Sequence, residues 1–182
     1  MRRADGARYH AWMPNRFALE AATLKSLMAR HAAPGRLEWI GLRPAREVPM
    51  VARGHAAAVV GHGLEGDRYA HDGKRQVTLV QAEHLPVIAA LCGRGAVLPE
   101  LLRRNLVVSG ISVLALKNQR FRIRAALFEG TGPCEPCSKM EAALGAGGYN
   151  AMRGHGGICA RVLVGGGIAL GDAVVAEPPE AA

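Results

Sequence analysis

From Leu37 onward the chain is cut into short runs rich in Val, Ile and Leu, at residues 37–42, 56–60, 76–80, 105–108, 120–128, 158–164 and 173–175, each bounded by Gly, Pro or charged residues. Runs this short and this punctuated predict strands. Helices are predicted at 82–91, where Pro86 fits the first turn and Val87, Ile88 and Leu91 supply an apolar face, and at 99–104. Many strands with few inserted helices imply a mainly β fold with helical insertions (α+β), a barrel or sandwich rather than a βαβ repeat. Ahead of them, Phe17, Ala21, Leu24 and Met28 fall on one helical stripe that Pro34-Gly35 would end. The expected organisation is a helical extension at 1–36, one domain at 37–176 and a disordered tail at 177–182.

With aromatics at 4% of a chain that is 49% hydrophobic, the core must be aliphatic. The formal charge of +8 comes mostly from arginine, since the lysines are Lys25, Lys74, Lys117 and Lys139 alone. Guanidinium is the better planar partner for phosphate and carboxylate, so an anionic small-molecule ligand is admitted. A solvated surface explains the charge equally well. Scattered basic residues with so few aromatics argue against nucleic acid. The N-terminal residues lack the apolar stretch of a secretory signal or anchor, and the longest apolar region, "ICARVLVGGGIALGDAVVA", is broken by Arg161, Asp172 and glycines. A cytoplasmic protein that does not enter a membrane is expected.

In "RFRIRAA" Phe121 and Ile123 alternate with Arg120, Arg122 and Arg124, so the three guanidiniums share one strand face. A solvated outer face is the favoured reading, an anion-binding wall the other. The cysteines carry the chemistry. Cys134 and Cys137 precede "SKMEAALG", a short helix with Met140, Ala143 and Leu144 on one side and Gly145 at its end. Cys137 then lies at the helix N-terminus with Lys139 nearby, a setting that favours a thiolate able to ligate or attack. A buried thiol in a turn is the plain alternative. Cys134 and Cys137, followed by His155 and Cys159, could also supply four zinc ligands. Against zinc, the chain has ample apolar sequence for a core, and Ile158-Cys159-Ala160 reads as a strand with its sulfur inside. A thioredoxin-like dithiol lacks its βαβ context. Cys92, ending an apolar helix, reads as a core residue.

Five segments, in order, carry a resemblance: "GLEGDRYA" (63–70), "RQVTLVQAEHL" (75–85), "RRNLVVSGI" (103–111), "FRIRAALFEGTGPCEPCSKM" (121–140) and "RGHGGICARVLVGGGIALGDAV" (153–174). Together they resemble the MOSC domain, named for the C-terminal domain of molybdenum cofactor sulfurase. The resemblance implies a MOSC-type β-barrel that binds molybdenum cofactor (molybdopterin), a metal held by a pyranopterin dithiolene bearing a phosphate. It implies either an oxidoreductase that reduces N-oxygenated or N-hydroxylated compounds or a sulfurtransferase. Cys137 matches the family's cysteine and is the expected molybdenum ligand or persulfide carrier. Arg103 and Asn105 match a cofactor-holding Arg-x-Asn element, guanidinium to phosphate and amide to heterocycle edge. Arg68 is expected either at the cofactor or as the partner of Asp67, and Arg153 and His155 at the mouth of the site. Cys134 stands where relatives often carry another residue such as arginine, an extra thiol that could resolve a persulfide or sulfenic acid. Neither the β-domain that precedes MOSC in the N-hydroxy reductases nor a pyridoxal phosphate domain is expected, so electrons must come from a donor protein, or the cargo must pass to a cofactor-receiving enzyme.

Overall fold

The computed structural model describes residues 23–69 and 71–178. They fall into two units, one ending at Arg30 and one beginning at His31. The described part of the first is a single helix, α1 (Leu24–Met28), N-capped by Thr23, whose Oγ1 accepts the Ser26 N–H at 3.1 Å. Leu24 and Met28 of the predicted stripe lie on it; Phe17 and Ala21 lie outside the described residues.

The second unit is a barrel. Strand β1 (Gly35–Leu42) has short strands after it: β2 (Val51–Arg53), β3 (His55–Val59) and β4 (Gly63–Leu64). Next come β5 (Val77–Gln81), helices α2 (His84–Leu91) and α3 (Pro99–Leu102), and β6 (Leu106–Ser109). A 3-10 turn at Leu114–Leu116 leads to the hairpin β7 (Arg120–Ile123) and β8 (Ala126–Pro133). Helices α4 (Ser138–Leu144) and α5 (Gly148–Met152) precede β9 (Ile158–Val164), β10 (Gly166–Ala169) and β11 (Ala173–Ala176).

The main sheet runs β11-β7-β8-β9-β5-β6-β1 and closes when β11 pairs again with β1, Gly35 opposite Val174; β2 hangs on the free side of β1. A smaller sheet, β10-β3-β4, lies beside it. Closure removes the barrel's open edges. The neighbours are antiparallel except β5 and β6. A parallel pair needs a crossover, and α2 and α3 are that crossover.

Alternation assigns the two faces. Leu79 of β5 and Leu106 and Val108 of β6 point into the barrel with Leu37, Ile40, Phe121, Ile123, Phe128 and Ile158. Val80 and Val107 point out, where Ile88, Leu102, Met140, Leu144 and Met152 from the helices cover them. The central strands are therefore apolar on both sides and read as continuous runs in the sequence. Phe121 and Phe128 stack at 5.4 Å inside an otherwise aliphatic core. On the other face of β7 and β8, Arg122 pairs with Glu177, Arg124 with Asp172 and Glu129 with Arg161, so this face is a surface of ion pairs rather than an anion-binding wall.

One turn departs from the sequence reading. The run 120–128 is not one strand: Arg124 takes a left-handed φ of 52° and the chain doubles back on a two-residue turn. Gly157 (φ 80°) brings the start of β9 against β5 so closely that a Cβ there would sit 1.8 Å from the Leu79 carbonyl oxygen. Among the described residues, no helix is long and apolar enough to cross a membrane.

Candidate functional site

The covered side of the barrel is held together by polar side chains, and they begin at α3. Pro99 starts this helix and Arg103 ends it in a left-handed conformation, φ 54°. That conformation is unusual for a residue with a Cβ and tends to persist where the surroundings enforce it. Arg103 leans back to donate an Nη1–H to the Val48 carbonyl at 2.8 Å, and it edges a pocket of about 590 Å³ between the loop before β2, α3 and α4. Pro49, Met50, Leu98 and Leu101 make the apolar part of this pocket, and Arg94 and Glu100 its other charged edges.

The next two residues turn inward. Asn105 is fully enclosed. Its Oδ1 accepts from Arg43 Nη2 at 2.6 Å, Thr78 Oγ1 at 2.9 Å and the Thr78 N–H at 3.1 Å, while its Nδ2 donates to Asp67 Oδ2 at 2.8 Å and the Gly41 carbonyl at 3.1 Å. Both ends of the amide are spent on the scaffold, so Asn105 ties β1, β5 and the loop after β4 together and offers nothing to a heterocycle edge.

The same network answers the question of Arg68. Asp67 is paired not with Arg68 but with the buried Arg43, through Nε at 3.0 Å and Nη2 at 3.0 Å, and also accepts the backbone N–H groups of Arg43 and Tyr69. Burial works against ionisation of Asp67, but the Arg43 bonds and charge together with those N–H groups outweigh it and hold the carboxyl below its usual range. Arg68 is exposed, and the Arg43 and Arg68 guanidiniums lie over the Tyr69 ring at 4.3 and 4.7 Å.

The cysteines separate into a surface thiol and a buried pair. Cys137 is exposed and is the N-cap residue of α4, with extended φ and ψ. Lys139 in the first turn reaches Glu47 at 3.8 Å. Cys134, at the end of β8, is buried and neighbours Cys159 rather than Cys137. Beside the Cys159 thiol, which donates to the Pro133 carbonyl at 3.9 Å, and under the charges of Arg104, Arg75 and Arg43, the Cys134 pKa is lowered to about 6 against the cost of burial. Cys159 is driven the other way by the neighbouring Cys134 thiol, by burial and by the charge Cys134 carries when ionised. The four candidate zinc ligands are thus not assembled: Cys134 and Cys159 are inside, Cys137 is outside and His155 packs elsewhere. Among the described residues no group of three or more His, Cys, Asp or Glu is placed to hold a metal ion. Cys92 is half-buried beneath the helices, as the core reading expects.

Arg153 is exposed in the glycine-rich loop before β9. His155 meets His84 edge to face, ring centroids 4.7 Å apart, and the Nδ1 atoms of both are buried without a hydrogen-bond partner. Burial, then the charge of His155, lower the pKa of His84 against the pull of Glu83.

Arg43, Thr78 and Arg104 are structural members that the sequence reading passed over, since an arginine after a strand or a threonine within one looks the same buried or exposed. The chemistry left open is an exposed soft donor at Cys137 and a pocket edged by Arg103 and Arg94. A thiol and guanidiniums suit a thiophilic metal on a phosphate-bearing organic carrier. Cys137 and Arg103 fit such a group; Asn105 supports its surroundings.

No curated protein matches the chain. Solved structures do: the YuaD protein from Bacillus subtilis, 21% identical with a TM-score of 0.70, covering 80% of this chain and 96% of that one. YiiM from Geobacillus stearothermophilus follows at 20% and 0.63, covering 79% and 75%, and YiiM from Escherichia coli at 19% and 0.61, covering 81% and 72%. At these identities the likeness is one of fold. The family model of the MOSC domain matches residues 51–175, from β2 into β11 and through every cysteine, and the chain therefore belongs to the MOSC domain family.

Proposed function

We propose that the protein binds molybdenum cofactor and, in the cytoplasm, reduces N-oxygenated or N-hydroxylated small molecules. The observation that carries this is the exposure of Cys137 at the start of α4, the helix that also lends Ala143 to the pocket edged by Arg103. When bound, the cofactor supplies a two-electron metal couple that the polypeptide lacks. Cys137 is the soft ligand. Arg103 and Arg94, with N–H groups beyond those given to backbone carbonyls, face the anionic end of the carrier, and Arg68 and Arg153 are exposed cations for the same charge or for substrate. The Arg43–Asp67–Asn105 network keeps the strands beneath rigid, which preserves geometry at the site. His155, its Nδ1 unpartnered beside His84, stands in the glycine-rich loop. Electrons come from a donor protein.

Anaerobic reconstitution with the cofactor tests this, reading molybdenum and pterin per chain. Wild type should load close to one of each, Cys137→Ala should lose the metal, and Arg103→Met should weaken retention by about 10-fold or more. Equal loading of Cys137→Ala defeats the assignment. If instead a persulfide donor leaves a labile sulfur on Cys137 and no cofactor is retained, the protein is a sulfur carrier. In that case Cys134, buried against Cys159, is not the resolving thiol.

A further inference from the structure

Cys134, Cys159 and Arg104 form a cluster that the cofactor reading does not use. Cys134 donates its N–H to the Gly157 carbonyl at 2.8 Å, and Gly132 is the register partner of Cys159. Cys134 and Cys159 therefore stand diagonally across the β8–β9 pair on one face. Both are shut away, at 1% and 8% exposure. Arg104, at 3%, aims its guanidinium at three carbonyls, Gly156 at 2.9 Å, Leu102 at 3.0 Å and Cys134 at 3.1 Å. Among the described residues it has no carboxylate partner.

Carbonyls solvate a guanidinium without cancelling its charge, and a buried net cation is costly. One ionised thiol of the pair carries a single negative charge, which meets that need. The low Cys134 pKa and the raised one of Cys159 agree with this division.

We propose that Cys134 and Cys159 form a two-coordinate site for a soft monovalent cation of the copper(I) or silver(I) class, held between their sulfurs. Charge is conserved: the Cys134 thiolate and the Cys159 thiol take up the cation, two metal–sulfur bonds form, the Cys159 S–H bond breaks, and one proton leaves. The bis-thiolate complex keeps the single negative charge that balances Arg104. Zinc would make the complex neutral, leave Arg104 uncompensated and require further donors, and no third donor stands close among the described residues. Thiolates select soft d10 ions over harder ones. The site is separate from Cys137 and does not rest on the cofactor reading.

The test uses the full chain, reduced and anaerobic, titrated with copper(I) against a chromophoric chelator near neutral pH. In the variant Cys92→Ala/Cys137→Ala, Cys134 and Cys159 are the cysteines that remain. It should bind one ion per chain, release one proton and give a two-sulfur X-ray absorption signature. Folded Cys134→Ser and Cys159→Ser should each lose this binding. No binding in the double variant overturns the proposal, and so does undiminished binding in folded Cys134→Ser, which would place the ion on the exposed thiol.

Discussion

Asp67 stays ionised inside the protein because five donors, three of them on Arg43, converge on its carboxylate. Removing one side of a buried pair strands the other, so Arg43→Met should cost about 3–5 kcal/mol in urea unfolding. The folded pKa of Asp67 lies below its unfolded value, so its contribution is complete above about pH 4 and is lost as the pH falls through the folded value. Stability of the wild type should therefore drop on acidification in this range, more steeply than that of Asp67→Asn. His84 has the same sign at a higher pH. Its folded pKa is depressed, so its contribution is whole above about pH 6.5 and declines as His84 is forced to take a proton, and His84→Gln should flatten stability there. At this scale the sequence placed Cys137 at a helix start and Arg103 at a helix end, where the structure has them. It could not separate Arg104 from Arg103, because the left-handed turn that sends one out and the other inward has no residue signature. Cys134 and Cys159 are far apart in sequence, and only the β8–β9 register makes them neighbours.

The β7–β8 hairpin turns on Arg124 and Ala125, with positive φ at the position where two-residue turns favour glycine. Arg124→Gly should raise stability by about 1 kcal/mol in thermal or urea unfolding, less whatever the 3.7 Å contact to Asp172 contributes. No Gly or Asn announces this turn, which is why residues 120–128 read as one strand. Gly157 is the opposite case. Its φ and the Leu79 carbonyl leave no room for a methyl group, so Gly157→Ala should cost at least about 2 kcal/mol and weaken hydrogen-exchange protection along β5 and β9. The long strands were legible because both faces of β5 and β6 are apolar and β7 alternates. β2, β4 and β10 were not, being short and rich in Gly and Ala. Nor was α5, which begins after glycines where a loop is the plainer reading.

The second unit is a ring whose seam is the pairing of β11 with β1. Ending the chain after Asp172 removes β11 and exposes the flanks of β1 and β7 together, while Val174 leaves the core. Such a truncation should unfold without a cooperative thermal transition by circular dichroism, and a sharp transition would show that the seam is dispensable. The residue pattern disclosed strand content and the inserted helices but left barrel or sandwich open; only the family resemblance implied the barrel, since which edges meet is decided by long-range register. That seam also bears on synthesis in the cell. The first staves leave the ribosome long before the last one exists, so a nascent copy must wait with raw borders until nearly all of it has been translated. During that interval a holding chaperone, or mere scarcity of other copies, has to prevent it from sticking to its siblings.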